Sequence, residues 1–518
     1  MEQIIEVIVN GKPEKLPVSR KGVLLSSFLQ SLCYPLDMPC GGRAACKKCL
    51  VRASGTLSEP SEAELKLLTA QDLQTGYRLS CLTRILGRAE IHTAEEAAVQ
   101  VLTVGENETD YGRNNTNRFF TEWGAAIDIG TTTVCIRLFG EDGTFTTRAI
   151  KNPQTAFGAD VITRIEKALG GQAQELAHAI CGAIAEGLSE LAAEKNIQTA
   201  AIDGVLCTGN TTMLYLLTGE SVEPLSHSPF IAEERYGCLS VSNKTMSLAA
   251  AFGVADNAAV YLPRCISAFV GADISTAILA SGMCEKDETS LLVDLGTNGE
   301  IALWHEGKLY VCSTAAGPAF EGAGISCGCY SIPGAIDRIH SENGQVRFST
   351  LGPAGTPPRG VCGSGIVDAV AVMLELEIID ETGAFQDDEE TFTIGGDVEI
   401  IAQDVRQVQL AKGSVRAGVE TLIEVTGLNR EGIAAFYIAG GFGNYLNLRN
   451  ASAIGLIPPD LLDRAKVIGN AALAGASMIL FDRDRAGALT KLADTAETVH
   501  LDANPTFTDN YMEYMMFE

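Results

Sequence analysis

The sequence has no excess of cations. Its 38 Lys and Arg stand against 65 Asp and Glu, giving a formal net charge of -27. A chain of that sign repels phosphate backbones and anionic bilayers, so neither nucleic acid nor membrane is expected as a partner. An acidic nucleotide held by backbone N–H groups is still compatible with it. No unbroken apolar run reaches the ~18 residues that span a bilayer. The opening stretch, MEQIIEVIVNGKPEKL, alternates like a strand and lacks the cationic-then-apolar layout of a signal peptide. Together these absences lead us to expect a cytoplasmic protein. No GxxxxGK[ST] stretch occurs, which excludes a P-loop as the source of any phosphate binding.

What is present points to a globular chain of several folding units. The 518 residues suggest roughly three or four domains at about 100–200 residues each. Hydrophobic residues make up 46% and charged residues 20%, enough for a sizeable core. The 53 glycines fall in short clusters, the pattern of tight loops rather than of a disordered linker. The 15 cysteines, in a chain of this size and expected compartment, imply metal or redox chemistry rather than disulfides.

One region clusters its cysteines. In PCGGRAACKKCLV, Cys40, Cys46 and Cys49 are separated by five and then two residues, and Cys81 follows in GYRLSCLTR. A 2Fe–2S cluster needs four thiolates, three of them from one loop that wraps it, with small residues that let backbone N–H groups approach the sulfides. The stretch GGRAA supplies those small residues. Plant-type spacing has a first gap of four, where this chain has five. The alternative is zinc, which prefers paired C-x2-C hooks, and only one such pair is present. Arg43, Lys47 and Lys48 offset the charge of a tetrathiolate cluster, or simply form a solvated face. Cys33 lies outside the pattern and reads as packing. Around the loop, IIEVIVNGKPEKLPV reads as a hairpin, GVLLSSFLQSL as an amphipathic helix and SEAELKLLT as a second helix opened by Ser. This order resembles a plant- or vertebrate-type ferredoxin over about the first 95 residues, which implies an α+β ferredoxin-like (β-grasp) domain.

Residues 96–121 are polar apart from VQVLTV and read as a linker. Beyond it, GAAIDIGTTTVCIRLF and SLLVDLGTNGEIALWH repeat one design 166 positions apart, each an apolar strand ending in Asp, a Gly-Thr turn and a second strand. A glycine turn brings backbone N–H groups against phosphate oxygens, and Thr hydroxyls add donors. The Asp can hold Mg²⁺ or orient an attacking water. The candidate catalytic residues are therefore Asp128 and Asp294. Gly130, Thr131, Thr132, Gly296, Thr297, Asn298 and Gly299 are the candidate phosphate-binding residues. FYIAGGFGNYL offers Gly440, Gly441 and Gly443 for backbone packing on an adenosine. FVGADISTAILASGM and VIGNAALAGASMIL read as small-residue helices. The order of these pieces resembles the actin, Hsp70, sugar-kinase and acetate-kinase superfamily. That implies an α/β two-lobed actin-like ATPase domain over 122–518, with the small-residue helices crossing at a hinge.

A ferredoxin fused to this ATPase is a narrow pairing. With GNTTMLYLLTG, HSPF, TAAGPAFEGAGISCG, GAIDRI, GVCGSGIVDAV and NAALAGA, nearly the whole chain resembles the reductive activators of corrinoid proteins. The resemblance implies a 2Fe–2S cluster on Cys40, Cys46, Cys49 and Cys81, with ATP and Mg as further cofactors. It implies one-electron reduction of cob(II)alamin to cob(I)alamin on a partner corrinoid protein of a methyltransferase system. An upstream low-potential electron donor is then required, and a homodimer is compatible. Two alternatives stay open: ATP-dependent electron delivery to another low-potential enzyme, and a small-molecule kinase with a fused ferredoxin. Cys327 and Cys329 depart from what the resemblance leads one to expect. They read as packing in a Gly-rich turn, with a redox role left open.

Overall fold

A computed structural model describes residues 3–18, 22–32, 36, 38, 49–93, 115–240, 242–353, 355–386, 390–441 and 446–517. The chain divides into two compact units, 1–97 with 151–183, and 98–150 with 184–518. The expected partition into 1–95, 96–121 and 122–518 does not anticipate the assignment of 151–183 to the first unit.

In the first unit, β1 (Gln3–Val9) and β2 (Lys12–Val18) form the expected hairpin. Its turn is Asn10-Gly11, both at positive φ (49° and 79°), the pair that matches the twist of a two-residue hairpin. Alternation places Val7 and Val9 in the core and leaves Ile4 exposed. Three further strands, β4 (Leu50–Leu57), β5 (Tyr77–Leu79) and β6 (Arg84–His92), complete a sheet of order β2-β1-β6-β4-β5. The short β3 (Val23–Leu24) pairs with β6. Because β1 runs parallel to β6, the chain crosses over between them, and the helix Leu25–Ser31 lies in that crossover with Leu25, Phe28 and Leu29 buried. The second expected helix is Glu62–Leu67, with the Ser61 side chain accepting from Glu64 N at 3.2 Å. This is the β-grasp arrangement.

The helical run Val161–Glu194 begins in this unit, and its start is capped by Asp160, which accepts from Thr163 N at 2.8 Å. By length and composition alone the run could cross a bilayer, although Gly171 at φ 95° breaks its backbone and Glu175 and Glu186 interrupt its apolar pattern.

The second unit contains the duplication. One sheet has order β11-β10-β7-β8-β9, from β7 (Trp123–Ile129), β8 (Thr133–Gly140), β9 (Phe145–Lys151), β10 (Ile202–Gly209) and β11 (Ala259–Tyr261). In the other, β12 (Ser290–Leu295), β13 (Gly299–His305) and β14 (Lys308–Thr314) continue the order β21-β20-β12-β13-β14-β22. Its remaining strands are β20 (Ala435–Ala439), β21 (Ala465–Gly469) and β22 (Glu497–Thr498). In each sheet an antiparallel hairpin leads, and its first strand is flanked by a parallel strand: β10 beside β7, β20 beside β12. Between them in sequence, β15 (Ala335–Glu342), β16 (Gln345–Thr350) and β17 (Gly360–Val361) form a three-stranded sheet, and β18 (Thr391–Gly395) pairs with β19 (Val398–Ile401).

The two small-residue helices are Ala272–Ser281 and Ala471–Phe481, and they cross backbone to backbone. A Cβ built on Gly475 would lie 1.9 Å from the Thr276 carbonyl oxygen, so only glycine allows this crossing. Residues 96–114 of the expected linker lie outside the described residues. Residues 115–121 are not free chain. Phe119 N donates to Leu480 O at 2.9 Å, Phe119 and Phe120 are buried, and Thr121 N donates to the Asp203 carboxylate.

Candidate functional site

The two Gly-Thr turns face one cleft. Each closes tightly, with Gly130 N donating to Thr133 O at 3.0 Å and Gly296 N donating to Asn298 O at 3.1 Å. Asp128 and Asp294 hold the same place in register, one residue before the end of β7 and β12, opposite Cys135 and Glu300. The cleft is lined by Asp128, Gly130, Thr131, Thr132, Asp294, Gly296, Thr297, Asn298, Gly440 and Gly441. Gly440 takes φ +102°, and a Cβ there would meet Leu295 O at 2.4 Å and Asp294 Oδ1 at 2.8 Å, which is why the third loop can press against the second turn. Gly299 is not in the cleft lining. A Cβ on it would come within 2.7 Å of Thr314 Oγ1 and 2.9 Å of Val415, so its small size serves packing under β13. Gly443 lies outside the described residues.

Further polar residues reach the cleft without having been singled out from sequence, among them Asn210, Asp273, Glu300, Glu321 and Asn470. Asn210 caps the helix Thr211–Thr218, accepting from Met213 N, and its Nδ2 donates to Thr131 Oγ1 at 3.2 Å. Asn470 caps Ala471–Phe481 in the same manner, and its Nδ2 donates to Asp128 Oδ2 at 2.8 Å. Their shared signal is the Gly-Asn pair that ends a strand and opens a helix. Glu321 closes the short helical turn Pro318–Glu321. Its carboxylate accepts from Thr297 Oγ1 at 2.8 Å and from Thr132 Oγ1. No periodicity marks Glu321 or Asp273, whose positions depend on how distant segments fold together.

Among the described residues the lining carries five carboxylates and no Lys, Arg or His. For Asp128, Asp273, Asp294 and Glu300, burial is the main reason the proton binds tightly, and repulsion by neighbouring carboxylates adds to it for Asp273, Asp294 and Glu300. Burial lifts Asp128 to about 6, against the hydrogen bond from Asn470. Burial lifts Asp273 to about 7, with Asp128 contributing. Asp294 rises to about 8 through burial and then the charges of Asp273 and Asp128. Glu300 is pushed well above the usual range by burial, Asp273 and Asp294. Oxygen donors without a protein counter-charge suit a hard divalent cation, and such an ion would draw all four back to the charged form.

In the first unit, Cys49 directly precedes β4 and Cys81 lies two residues past the end of β5; both are buried. Ser80 N donates to Cys49 O at 3.0 Å, tying the two segments together. A hydrogen bond from the Cys81 side chain is the main cause that draws the Cys49 thiol down to about 6, against burial. The Ser80 hydroxyl is sealed from solvent, has no oxygen or nitrogen acceptor among the described residues, and donates toward the Cys49 sulfur. Cys40 and Cys46 lie outside the described residues.

A buried ion pair absent from the sequence reading holds this turn. Arg78 Nε and Nη2 donate to Glu64 at 2.9 and 3.1 Å, and Leu79 N donates to Glu64 Oε1 at 2.9 Å. Burial alone would raise the Glu64 carboxyl, but Arg78 and Leu79 outweigh it and hold it below the usual range. Cys327 and Cys329 flank a bend that joins β17 through Cys329 N to Val361 O and Val361 N to Cys327 O, both 2.9 Å, and Cys329 also reaches the cleft lining.

Comparison with known proteins agrees with this arrangement. Residues 123–286 match a family model described as the RACo middle region, and residues 288–518 match one described as the C-terminal domain of RACo, the ASKHA domain. The chain is 30% identical to the corrinoid activation enzyme RamQ of Eubacterium limosum, over 97% of this chain and 98% of that one. It is 25% identical to a [Co(II) methylated amine-specific corrinoid protein] reductase of Methanosarcina barkeri, over 75% of this chain and 76% of the other. A solved structure, a reductive activator for corrinoid, iron-sulfur protein, superposes with a TM-score of 0.69 at 26% identity, covering 99% of this chain and 98% of its own. A relative matched along its whole length, and a solved fold matched over nearly all of this one, make the chain a member of the family of reductive activators of corrinoid proteins.

Proposed function

We propose that the chain uses ATP to drive one-electron reduction of a corrinoid protein in a methyltransferase system. The observation that carries this is the cleft between two duplicated Gly-Thr turns, in a chain matched end to end by a corrinoid activation enzyme. That match favours corrinoid activation over the kinase and over electron delivery to a different enzyme.

The cleft fits a nucleotide with a divalent cation. Thr131, Thr132 and Thr297 supply hydroxyl donors, the two turns supply backbone N–H groups, and Gly440 and Gly441 leave backbone open to a nucleoside. With five carboxylates and no cationic side chain in the lining, a triphosphate enters only if a cation offsets the repulsion. Asp128 and Asp294 would hold Mg²⁺ together with phosphate oxygens and water, since among the described residues no cluster of three carboxylates closes on a single ion. Asp128 or Asp294 would also orient the attacking water.

Cys40, Cys46, Cys49 and Cys81 would hold a 2Fe–2S cluster. The buried thiol pair Cys49 and Cys81, with the Ser80 hydroxyl directed at the Cys49 sulfur, fits such a group, since a hydroxyl donor and sulfur acceptors are what a cluster edge requires. When bound, the cluster supplies one electron, received from an upstream low-potential donor, that converts cob(II)alamin on the partner to cob(I)alamin. The role of ATP is thermodynamic. For one electron ~59 mV is a tenfold bias, so an uphill gap on the order of 200 mV disfavours transfer by ~10³. Inverting a two-state balance from 1:99 to 99:1 takes about 5.5 kcal/mol, within reach of nucleotide-driven lobe closure. In this reading the protein works in the cytoplasm.

The test is direct. The protein, a reductant, Mg-ATP and a cob(II)alamin-loaded corrinoid protein are mixed without oxygen. Cob(I)alamin absorption should rise only with ATP, and removal of residues 1–95 should stop the rise. Equal cob(I)alamin formation without ATP, across several corrinoid partners, would defeat the proposal.

A further inference from the structure

The hydroxyls that the two turns would offer to a phosphate already have an acceptor. Thr132, in the first turn, and Thr297, in the second, both donate to Glu321, one to each carboxylate oxygen. The two threonines belong to different sheets, so one carboxylate ties the halves of the cleft together.

The base of that side chain is rigid. Gly317 and Gly322 flank the turn Pro318–Glu321 at φ 76° and 77°. Ala319 and Phe320 anchor it in the core. A Cβ on Gly322 would strike Cys329 O at 2.4 Å, so the backbone behind Glu321 has one place to go. Its Oε1 also lies 3.9 Å from where a Cβ on Gly296 would be, against the second turn itself. A carboxylate and a terminal phosphate present the same chemistry to a hydroxyl, an anionic oxygen that accepts. Both cannot hold the same two hydroxyls, and among the described residues of this cleft no cationic side chain reconciles their charges.

We propose that Glu321 is a positioning residue that stands in for the terminal phosphate in the nucleotide-free cleft. It ties the two turns until a metal-bound triphosphate takes over Thr132 and Thr297 and releases it. The inference rests on the nucleotide reading above and adds to it the residue through which phosphate occupancy is felt by both halves. No bond is made or broken in the exchange; two hydroxyl donors change acceptor.

The experiment compares the full-length chain with Glu321→Gln and Glu321→Asp. Gln has one accepting oxygen, so one threonine must turn round to accept from its amide N–H, and the charge-assisted hold on both hydroxyls is lost. Asp keeps the charge but is one carbon shorter on the same pinned backbone, so it cannot span them. Without nucleotide, deuterium uptake in peptides covering 129–134 and 295–299 should be at least several-fold faster in both variants than in the unmodified chain. With Mg²⁺ and a non-hydrolysable ATP analogue, all three should exchange alike. The analogue should bind Glu321→Gln about tenfold more tightly, the scale of one charge-assisted hydrogen bond no longer competed for.

Unchanged exchange in the nucleotide-free variants overturns the tie. So does an Asp variant indistinguishable from the unmodified chain, which would leave charge alone as the effect. Weaker binding of the analogue by Glu321→Gln overturns the handover. Failure of the unmodified chain to bind the analogue at all defeats the nucleotide reading and the handover with it, while the nucleotide-free exchange still decides the tie.

Discussion

Two glycines in helices of the second unit should respond to alanine with opposite signs. Gly475 lies in the helix Ala471–Phe481, where a Cβ would sit 1.9 Å from Thr276 O on the crossing helix. Gly487 lies in the helix Arg483–Thr495, and a Cβ there would meet nothing within 4 Å. Alanine in a helix interior is favoured over glycine by about 1 kcal/mol. At Gly487 that term acts alone, so Gly487→Ala should stabilise by about 0.5–1 kcal/mol. At Gly475 it is opposed. An ordinary carbon–oxygen approach is about 3.3 Å, so the helices must part by roughly 1.4 Å.

The obstacle at Gly475 is backbone, which cannot rotate out of the way as a side chain can. Overpacking of this kind costs about 1–3 kcal/mol, and the upper end applies. After the helical gain is subtracted, Gly475→Ala should destabilise by about 2 kcal/mol. The displacement also reaches the cleft. Thr276 is hydrogen-bonded to Thr208 at 3.1 Å and lies one turn beyond Asp273 on the same helix, so Mg-ATP affinity should fall as well. Urea midpoints for the unmodified chain and the two variants, with nucleotide titrations beside them, test this. If Gly475→Ala proves as stabilised as Gly487→Ala, the helices do not cross as described and the reasoning fails.

Two other outcomes are expected. Glu64→Ala leaves Arg78 buried without its partner and should destabilise the first unit by about 3–5 kcal/mol while ATP turnover is retained. Because the Glu64 carboxyl is held below its ordinary 4.5, its contribution is present above that pH and lost as pH falls through the folded value, so the Ala variant should show a flatter acid limb in pH-dependent unfolding. The cleft has the opposite sign. Asp128, Asp273 and Asp294 are raised to about 6, 7 and 8, so each keeps a proton in the metal-free chain until pH rises through those values. Mg²⁺ must displace those protons, and the rise in Tm that it produces should be larger at pH 8 than at pH 6; an equal or larger rise at pH 6 would show that these carboxylates do not bind it.

The sequence by itself determined the elements whose signal is local. The Asn10-Gly11 turn between alternating strands is a hairpin because both residues tolerate positive φ. Ser61 opens a helix because its hydroxyl satisfies an unpaired N–H. The repeat around Asp128 and Asp294 could be read because each copy is one continuous strand-turn-strand, and the four spaced cysteines are a pattern that few other functions produce. Even the crossing of the small-residue helices was legible, since only Gly and Ala permit backbones so close.

What tertiary structure alone decided is who meets whom across the cleft. Gly299 shares a motif with Thr297, yet it packs beneath Thr314 and Val415 because a strand begins there and turns it away from the opening. Glu321 and Asp273 sit in runs that give no sign of carboxylate chemistry, and they join Asp128 and Asp294 only when separate segments converge. Glu64 looks like an ordinary helix-surface residue and becomes the buried partner of Arg78. Periodicity and spacing report on neighbours in the chain. Charge repulsion, desolvation and the choice of hydrogen-bond partner depend on neighbours in space, and only the folded chain specifies those.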